Sequence, residues 1–492
     1  MRQRQGGWRS ARFVAPTPQV GPTNATPAPP PASDGSRSRS AQTRPARSIA
    51  VPAPVTERFG ALFGRARAVP PEWSIGFIGV LAYIAAAVTY RLPVATPAMV
   101  LAVVGLLFER RVTVPLFVGL FALYVAWAGF GYTASIDQGT TLDQTIVMSK
   151  ILLISFVIAN VSRTSWRMRV FMIFFLACFA LYPARGTLVN YFVIRYTTFG
   201  RALWNYIYAN PNDLAALTYF PLAVAVAVAV SEPKGWIKRA ALIGTAILPL
   251  IILVTQSRGA LIGLVASSLI FFVIHSRGRR VKSFLIAAAV GIVLLPFVPS
   301  SAWKRFGAMI NLTSTTTIAY ADPEGSAEAR YNIWRVAGAI IKENPITGIG
   351  LGVYPRAHAM YSVRVGVPRT AIGFKDTHST YLNVAAETGV PGLLLFLLTV
   401  AVVAISSERT RRKARGTVRA DQLLALELGL LAFMLAGIFG SFAKLSFLYI
   451  QLAVMWAVAD VARRELELGQ NTRAIRATAE PTLNPRRRLA NR

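Results

Sequence analysis

Side chains suited to metal binding, redox chemistry and proton transfer are scarce in this sequence of 492 residues. It contains one cysteine, Cys178, and three histidines, His275, His358 and His378. A single cysteine excludes an internal disulfide and a metal cluster built from cysteines. Histidine is the usual side chain for proton transfer near neutral pH, so few residues can fill that role. The histidines and carboxylates show no spacing typical of a metal site, and we expect neither a metal nor a cofactor.

Charged residues are also few, and most of them are basic. The chain is 15% charged and 54% hydrophobic, and its 53 lysines and arginines outnumber 21 acidic residues, for a net charge of +32. The apolar residues lie in blocks of about the length that crosses a hydrocarbon core of ~30 Å. These blocks indicate a polytopic membrane protein. In such a protein the basic loop residues mainly orient the helices, so the charge does not indicate a nucleic-acid partner.

The apolar blocks predict an all-α membrane protein with about twelve transmembrane helices. The even-numbered connections between blocks are basic, and the short odd-numbered ones carry almost no basic residues. Under the positive-inside rule this alternation places both termini in the cytoplasm. The blocks are residues 75–90, 97–108, 114–130, 146–161, 170–182, 214–230, 237–254, 260–274, 284–298, 390–405, 423–439 and 445–461.

The same pattern divides the chain into five regions. The two tails are basic, and the first is too poor in apolar residues to fold and lacks the early apolar core of a signal peptide. Both tails either contact anionic headgroups or remain solvated and only satisfy the orientation rule. The regions are a cytoplasmic tail at 1–72, helices one to nine at 73–298 with an exterior loop at 183–213, a large exterior loop at 299–389, helices ten to twelve at 390–461, and a cytoplasmic tail at 462–492.

Exterior connections that carry positive charge are exceptions to the alternation. The loop 183–213 contains Arg185, Arg195 and Arg201, the turn after the seventh block contains Arg258, and the long exterior segment contains many more cations. Long loops escape the positive-inside rule, but the rule gives no reason for so much exterior positive charge. An anionic ligand would provide one.

The long exterior segment has the pattern of a folded region. Apolar residues recur at helical spacing from Ser326 until Asn344-Pro345, which predicts a helix. The glycines at 348, 350 and 352 then suit either a close approach of backbone amides to a ligand or a tight turn against the membrane. No strand pattern precedes them and no Gly-Lys-Ser/Thr follows, so nucleotide binding is rejected.

Five segments, in this order, resemble the O-antigen ligase and polymerase superfamily. The last segment, which begins at His378, fits the ligase-type pattern of His, a polar residue, nine residues and Gly-x-x-Gly. The resemblance covers roughly residues 75 to 460. The segments are Asn210-Pro211-Asn212-Asp213-Leu214-Ala215, Gln256-Ser257-Arg258-Gly259-Ala260-Leu261, Arg330 with Trp334, Asn344 to Gly352, and His378-Ser379 with Gly389-Val390-Pro391-Gly392.

The resemblance implies a GT-C-type glycosyltransferase of the bacterial inner membrane that is inverting and independent of metals. Such an enzyme takes a glycan from undecaprenyl diphosphate on the exterior side and passes it to an acceptor sugar. The acceptor is a lipid A core or another molecule for a ligase, and a lipid-linked repeat for a polymerase. This chemistry belongs to polysaccharide biosynthesis for the cell envelope, such as that of lipopolysaccharide or exopolysaccharide.

Arg258 and Arg330 match the arginines that would bind the diphosphate, and Arg201 or Arg195 is a third cation. Arginine forks suit phosphate oxygens, and several cations would stabilise the leaving charge. The alternative roles are an interfacial anchor for Arg258 and a solvated helix charge for Arg330. Three further candidates for substrate binding come from the same motifs: Asn210, Asn212 and Gly350.

His378 would act as a general base on the acceptor hydroxyl or would orient it. Asp376 and Glu387 either orient His378 or line the acceptor groove. We interpret His358 and His275 as structural.

Rival functions stay open at this stage. We favour the ligase over the polymerase because the histidine motif fits the ligase-type pattern. A lipid-linked oligosaccharide flippase would also have many spans and buried arginines, but it would not need a large folded exterior loop with a histidine at its end. A scaffold protein would leave Arg258 and His378 unexplained.

Overall fold

The structure is a computed structural model that describes residues 72–90, 92–109, 111–274, 281, 285 and 326–479. The chain divides into two units, Met1–Ala66 and Arg67–Arg492, and the described residues belong to the second. The predicted N-terminal tail up to position 71, most of the ninth predicted span and the start of the exterior segment lie outside the described residues.

Helices are the regular elements of the described residues, which confirms the predicted all-helical class. A 3₁₀ turn, Gly131–Ala134, follows α3, and π-helical turns at Ala180–Ala184 and Val189–Ile194 follow α5. A single α-helical turn, Arg185–Leu188, lies between the π-helical turns. The longer α-helices of the described residues are α1 (Ile75–Thr89), α2 (Ala95–Leu106), α3 (Leu116–Phe130), α4 (Gln138–Val161), α5 (Ser165–Phe179), α6 (Pro211–Ser231), α7 (Trp236–Val254), α8 (Arg258–Ile274), α9 (Ser326–Glu343), α10 (Tyr354–Val365), α11 (Thr380–Lys413), α12 (Val418–Ala436) and α13 (Ser446–Ala479).

Seven helical stretches in the described residues are long and apolar enough to cross a membrane. The helices α1 and α2 and the first part of α8 are apolar but shorter. Every predicted span except the ninth coincides with a helix, so a multi-pass membrane protein is confirmed, whereas the number of twelve crossings stays a prediction. The seven stretches are Leu116–Ala134, Gln138–Val161, Ser165–Ile194, Pro211–Ser231, Trp236–Val254, Thr380–Lys413 and Ser446–Gln470.

The main core lies between these helices, and α6 and α13 are its most deeply buried spans. Alanine and valine dominate α6, and their small side chains let α7 and α12 pack closely against it. A second core joins α9 and α10, with Val336, Ile340 and Tyr354 fully buried. The part of the exterior segment that the structure describes is therefore folded, as predicted.

The predicted basic connections that the structure describes gather at one end of it. Arg163, in the turn between α4 and α5, forms an ion pair with Asp460 (4.0 Å). Arg167, in the first turn of α5, forms one with Glu109 (2.9 Å). The Arg419 side chain binds Glu465 of α13 at 2.9 Å. We refer to this end, which carries these residues, as the basic end. Its ion pairs join connections that are distant in the sequence.

The remaining connections and the exterior segment gather at the opposite end. The Ile136 backbone N–H donates to the Ile349 carbonyl (3.3 Å), and Arg356 forms an ion pair with Asp137 (2.7 Å). The Trp127 Nε1–H, near the end of α3, donates to the Thr388 carbonyl (2.9 Å). The predicted alternation of the connections thus corresponds to two ends of the described structure.

Three predicted boundaries differ from the structure. The loop predicted at 183–213 is helical as far as Ile194, because π-helical turns accommodate Pro183, whose carbonyl accepts the Thr187 hydroxyl (2.7 Å). The tail predicted from 462 is helical up to Ala479, and the Arg464–Asp460 pair (2.7 Å, i,i+4) supports the first turn beyond the span. The tenth predicted span, 390–405, belongs to α11, which begins at Thr380 and bends at Gly389 (φ 70°).

Candidate functional site

Three of the predicted arginines, Arg201, Arg258 and Arg330, line one polar pocket. It has a volume of about 60 Å³, which is room for a few water molecules or a phosphate group. Asn212 also lines it, and each of the three arginine side chains is half-buried. Three guanidinium groups around so small a space make it cationic, and a cationic space with limited solvent favours an anion.

Hydrogen bonds orient the Arg201 side chain. Its Nε–H donates to the Thr255 carbonyl (2.8 Å), and its Nη2 donates to Asn212 Oδ1 (2.7 Å). The backbone supports this position, since Thr198 and Arg201 form an antiparallel bridge and Gln256 Nε2 donates to the Gly200 carbonyl (3.0 Å). The guanidinium is therefore oriented before any ligand arrives.

Arg258 is the first residue of α8, so the pocket lies at a helix N-terminus. Gln256, which precedes it, has a left-handed backbone (φ 53°) and turns the chain sharply out of α7. Gln256, Ser257 and Gly259 line the pocket with Arg258. A Cβ at Gly259 would meet the Phe439 side chain at 2.8 Å, so glycine allows α8 to approach the loop after α12, which contains Phe439. Helix N-termini favour anions, which adds to the charge of the arginines.

Arg330 belongs to α9 and stands one helical turn before Trp334. The Trp334 Nε1–H donates to the Thr377 carbonyl (3.0 Å), directly before His378. Residues at i and i+4 share a helix face, so the face that carries Arg330 is docked against the segment that carries His378. This contact explains the pairing of Arg330 with Trp334 in the sequence motif.

The segment around His378 is fixed to the loop after α12. The Thr380 backbone N–H donates to the Gly437 carbonyl (2.7 Å), and the Thr380 hydroxyl donates to the Gly440 carbonyl (2.6 Å). The same hydroxyl accepts the Phe442 N–H (2.9 Å). Phe442 lines the arginine pocket, so the histidine segment and the pocket share this loop.

His378 is half-buried and has a left-handed backbone (φ 50°), an uncommon conformation for a residue with a side chain. Burial lowers the pKa of His378 below its ordinary value, and the nearby cations Arg330 and Lys375 lower it further, whereas Asp376 opposes them. The imidazole is therefore neutral near pH 7 and able to accept a proton. Arg330 connects the two parts of the site, since it lines the pocket and acts electrostatically on His378.

Three other predicted residues do not line this pocket. Arg195 is exposed and ends the π-helical turn with φ 64°. Asn210 caps α6, and its side chain accepts the Asn212 N–H at 2.8 Å. Gly350 is buried, and a Cβ there would collide with Ser135, so its lack of a side chain has a packing reason. Their roles in substrate binding stay predictions.

Sequence reasoning gave no role to Asp213, in the first turn of α6. Its carboxylate interacts electrostatically with that of Asp376. The start of α6 therefore lies near the histidine segment. Glu387, which was predicted either to orient His378 or to line the acceptor groove, is buried. It accepts hydrogen bonds from Asn383 Nδ2 (3.1 Å) and Lys444 Nζ (3.3 Å), and so stabilises the part of α11 that precedes the bend at Gly389.

The other histidines are apart from this site. His358 is fully buried, and its Nδ1 bonds to the Gly373 carbonyl (2.8 Å), which agrees with a structural role. His275 lies outside the described residues. In the described part of the chain, no group of three or more His, Cys, Asp and Glu side chains is arranged to hold a metal ion.

Residues 243–397 match a family model described as O-antigen ligase. This match confirms the resemblance to the O-antigen ligase and polymerase superfamily that the motifs indicated. It includes Arg258, Arg330, Gly350 and His378, whereas Arg201, Arg195, Asn210 and Asn212 lie before it. No curated protein matches the sequence.

Proposed function

We propose that this chain is a membrane glycosyltransferase that transfers a glycan from undecaprenyl diphosphate to the hydroxyl of an acceptor sugar, as an O-antigen ligase does. The family match supports a function of the ligase and polymerase type. The observation that carries the finer proposal is the convergence of Arg201, Arg258 and Arg330 on one small pocket beside the histidine segment. A transferase that releases a diphosphate needs this combination of cations and a proton acceptor.

The proposed step is a single displacement. The acceptor oxygen forms a bond to the anomeric carbon of the glycan, while the bond from that carbon to the diphosphate oxygen breaks. The acceptor proton passes to a ring nitrogen of His378, and the electron pair leaves on the diphosphate. The guanidinium groups of the pocket stabilise that charge as it develops. Attack from the side opposite the leaving group inverts the anomeric configuration and needs no metal.

The protein would lie in the bacterial inner membrane with about twelve crossings and both termini in the cytoplasm. The basic end would then face the cytoplasm, as the positive-inside rule requires. The arginine pocket and His378 would face the exterior, where the lipid-linked glycan is presented.

The decisive experiment uses the purified full chain in lipid with an undecaprenyl-diphosphate glycan. We expect Arg258→Ala to lower turnover roughly a hundredfold, because a lost contact to a leaving diphosphate costs on the order of 3 kcal/mol. Arg258→Lys should recover little, since an ammonium cannot form the fork. Arg369→Ala is the matched control, because it removes an exposed arginine that does not line the pocket.

Equal turnover by wild type and Arg258→Ala would show that Arg258 only anchors α8 at the interface. The same assay separates the ligase from the polymerase. Given the lipid-linked repeat alone, a ligase should form no product until a distinct acceptor is added. Longer lipid-linked chains without that acceptor would identify a polymerase. Movement of the intact lipid between leaflets without any transfer would indicate a flippase.

A further inference from the structure

A second pocket, of about 500 Å³, opens at the basic end, where the last turns of α11 meet α13 and the start of α3. Three cations line it: Arg409, Lys413 and Arg463. Its other lining residues include the apolar side chains of Val402 and Trp456. The pocket is therefore cationic in one part and apolar in another. It lies apart from the proposed active site and takes no part in the proposed reaction.

The cations and the apolar side chains are ordered along α11. Val402, Ile405, Arg409 and Lys413 recur at helical spacing and line the pocket from one helix face. Over the eleven residues from 402 to 413 the helix rises about 16 Å, which is roughly the depth of one leaflet of hydrocarbon. Along that length the face changes from apolar to cationic. A phospholipid presents its acyl chains and its phosphate in the same order.

The two pocket cations on α11, Arg409 and Lys413, differ from neighbouring arginines of that helix in their ion pairs. Arg411 and Arg412, on other faces of α11, form ion pairs with Glu427 (2.7 Å) and Glu408 (2.5 Å). Within the part of the chain that the structure describes, Arg409 and Lys413 form no ion pair. Arg463, the third cation of the pocket, has a longer ion pair with Asp460 (3.7 Å). Among the described residues, two of the three cations that line the pocket are therefore left without a carboxylate.

Arg463 completes the rim from α13. Its Nη1 donates to Ser406 Oγ (3.1 Å) and Thr410 Oγ1 (3.3 Å), and its guanidinium lies over the Trp456 ring at 5.5 Å. These contacts join α13 to α11 across the pocket and fix the cation at the border between its polar and apolar parts.

We propose that this pocket binds a phospholipid whose headgroup carries a net negative charge. A neighbouring recess of about 450 Å³ shares Ile405 and Arg409 with the pocket, so Arg409 stands between two grooves. The headgroup phosphate binds Arg409, Lys413 and Arg463, and an acyl chain lies along Val402 and Trp456. The tails of the chain are themselves basic, so charge complementarity excludes them as the occupant. Basic pockets between helices at a membrane surface are typical sites for anionic headgroups.

The test is lipid binding by the delipidated full chain, measured by native mass spectrometry. The probes are phosphatidylglycerol, zwitterionic phosphatidylethanolamine and inorganic phosphate. We expect saturable binding of phosphatidylglycerol in preference to the other two. The double variant Arg409→Gln with Lys413→Gln should weaken that binding roughly thirtyfold, since each cation near a surface contributes about a factor of five.

A matched variant separates this site from general surface charge. Arg111→Gln with Arg415→Gln removes the same charge from exposed positions that do not line the pocket, and it should leave phosphatidylglycerol binding unchanged. Val402→Phe, which fills the apolar part, should weaken phospholipid binding while all cations remain. The melting temperature of each variant checks that it is folded.

Three results would overturn the proposal. Equal losses in the pocket variant and the matched variant would reduce the effect to the net charge of the surface. Equal binding of phosphatidylethanolamine would remove the preference for a negative headgroup. Binding of inorganic phosphate as strong as that of the lipid, with no effect of Val402→Phe, would leave an anion site without a lipid.

Discussion

At the scale of single residues, the protonation state of His378 depends on its neighbours. Its pKa is lowered by burial and by the cations Arg330 and Lys375, and raised by Asp376. Lys375 and Asp376 precede it in the chain, so each can be changed without removing an arginine of the pocket. They provide a test of whether the protonation state of His378 controls the reaction.

If His378 takes the acceptor proton, turnover falls as the pH falls through the pKa of His378, which lies below the ordinary value. Lys375→Gln removes a cation that lowers this pKa, so the acidic limb of the pH–rate profile should move to higher pH. Asp376→Asn removes an anion that raises it, and the limb should move to lower pH. The measurement is turnover against pH for both variants.

His378→Ala should lower turnover by roughly 10² to 10⁴ if the imidazole is a general base. His378→Gln keeps a hydrogen-bonding side chain but takes no proton, and it should be nearly as slow. An active glutamine variant, or pH profiles that move in the same direction for Lys375→Gln and Asp376→Asn, would reduce His378 to an orienting role.

At the scale of elements, the bend of α11 joins the membrane helices to the exterior segment. The Ile349 and Gly350 N–H groups donate to the carbonyls of Ala386 and Glu387 at 3.0 Å each, and the Val390 N–H donates to the Pro345 carbonyl at 2.8 Å. These bonds need the helix to open at Gly389. The glycines around position 350 thus serve a close backbone contact in this structure.

Replacement of Gly389 should therefore destabilise this junction. Its backbone (φ 70°, ψ −179°) lies in a region that only glycine adopts readily, and a Cβ would collide with the Ile346 carbonyl. We expect Gly389→Ala to lower the free energy of unfolding by on the order of 3 kcal/mol or more. Thermal unfolding in detergent measures the loss.

The control is Gly338→Ala. Gly338 is exposed in α9 with open space around its Cα, so alanine should leave stability unchanged or raise it by about 1 kcal/mol through helix propensity. If both alanine variants melt like the wild type, the bend at Gly389 is not required for the fold.

These elements also show what the sequence could predict. Helical spacing and the stop at Asn344-Pro345 were sufficient for α9, which ends at Glu343. The sequence could not decide whether Arg195 or Arg201 is the third cation of the pocket. That choice depends on a hydrogen bond from the Arg201 guanidinium to the carbonyl of Thr255, which is distant in the sequence. The bend in α11 was also missed, since its partners lie in the loop around Ile346 and Ile349. Local patterns identify elements and candidate residues, whereas long-range backbone contacts decide which candidates meet.

At the scale of the whole molecule, charge is divided between two ends. The arginines at the basic end are largely paired with acidic residues across connections, as in Arg167–Glu109 (2.9 Å) and Arg169–Glu232 (2.6 Å). At the other end three arginines surround one pocket. Positive charge thus joins distant connections through ion pairs at one end and is concentrated around the candidate site at the other.

The proposed orientation predicts which end is open to the cell exterior. In a Cys178→Ala background, single cysteines at Thr133 and Thr370 should react with a membrane-impermeant thiol reagent in intact cells. Single cysteines at Lys234 and Arg415 should react only after the membrane is permeabilised. All four positions are exposed in the structure, so lack of reaction in intact cells reports the membrane barrier and not burial.

The four positions also test whether each end lies on a single side of the membrane. Lys234 follows α6 and Arg415 follows α11, so equal protection requires that the segment between them crosses the membrane an even number of times. That segment contains residues 275–325, where the ninth span was predicted. Labelling of Arg415→Cys but not Lys234→Cys in intact cells would mean an odd number of crossings between positions 234 and 415, and the twelve-span arrangement would then be wrong.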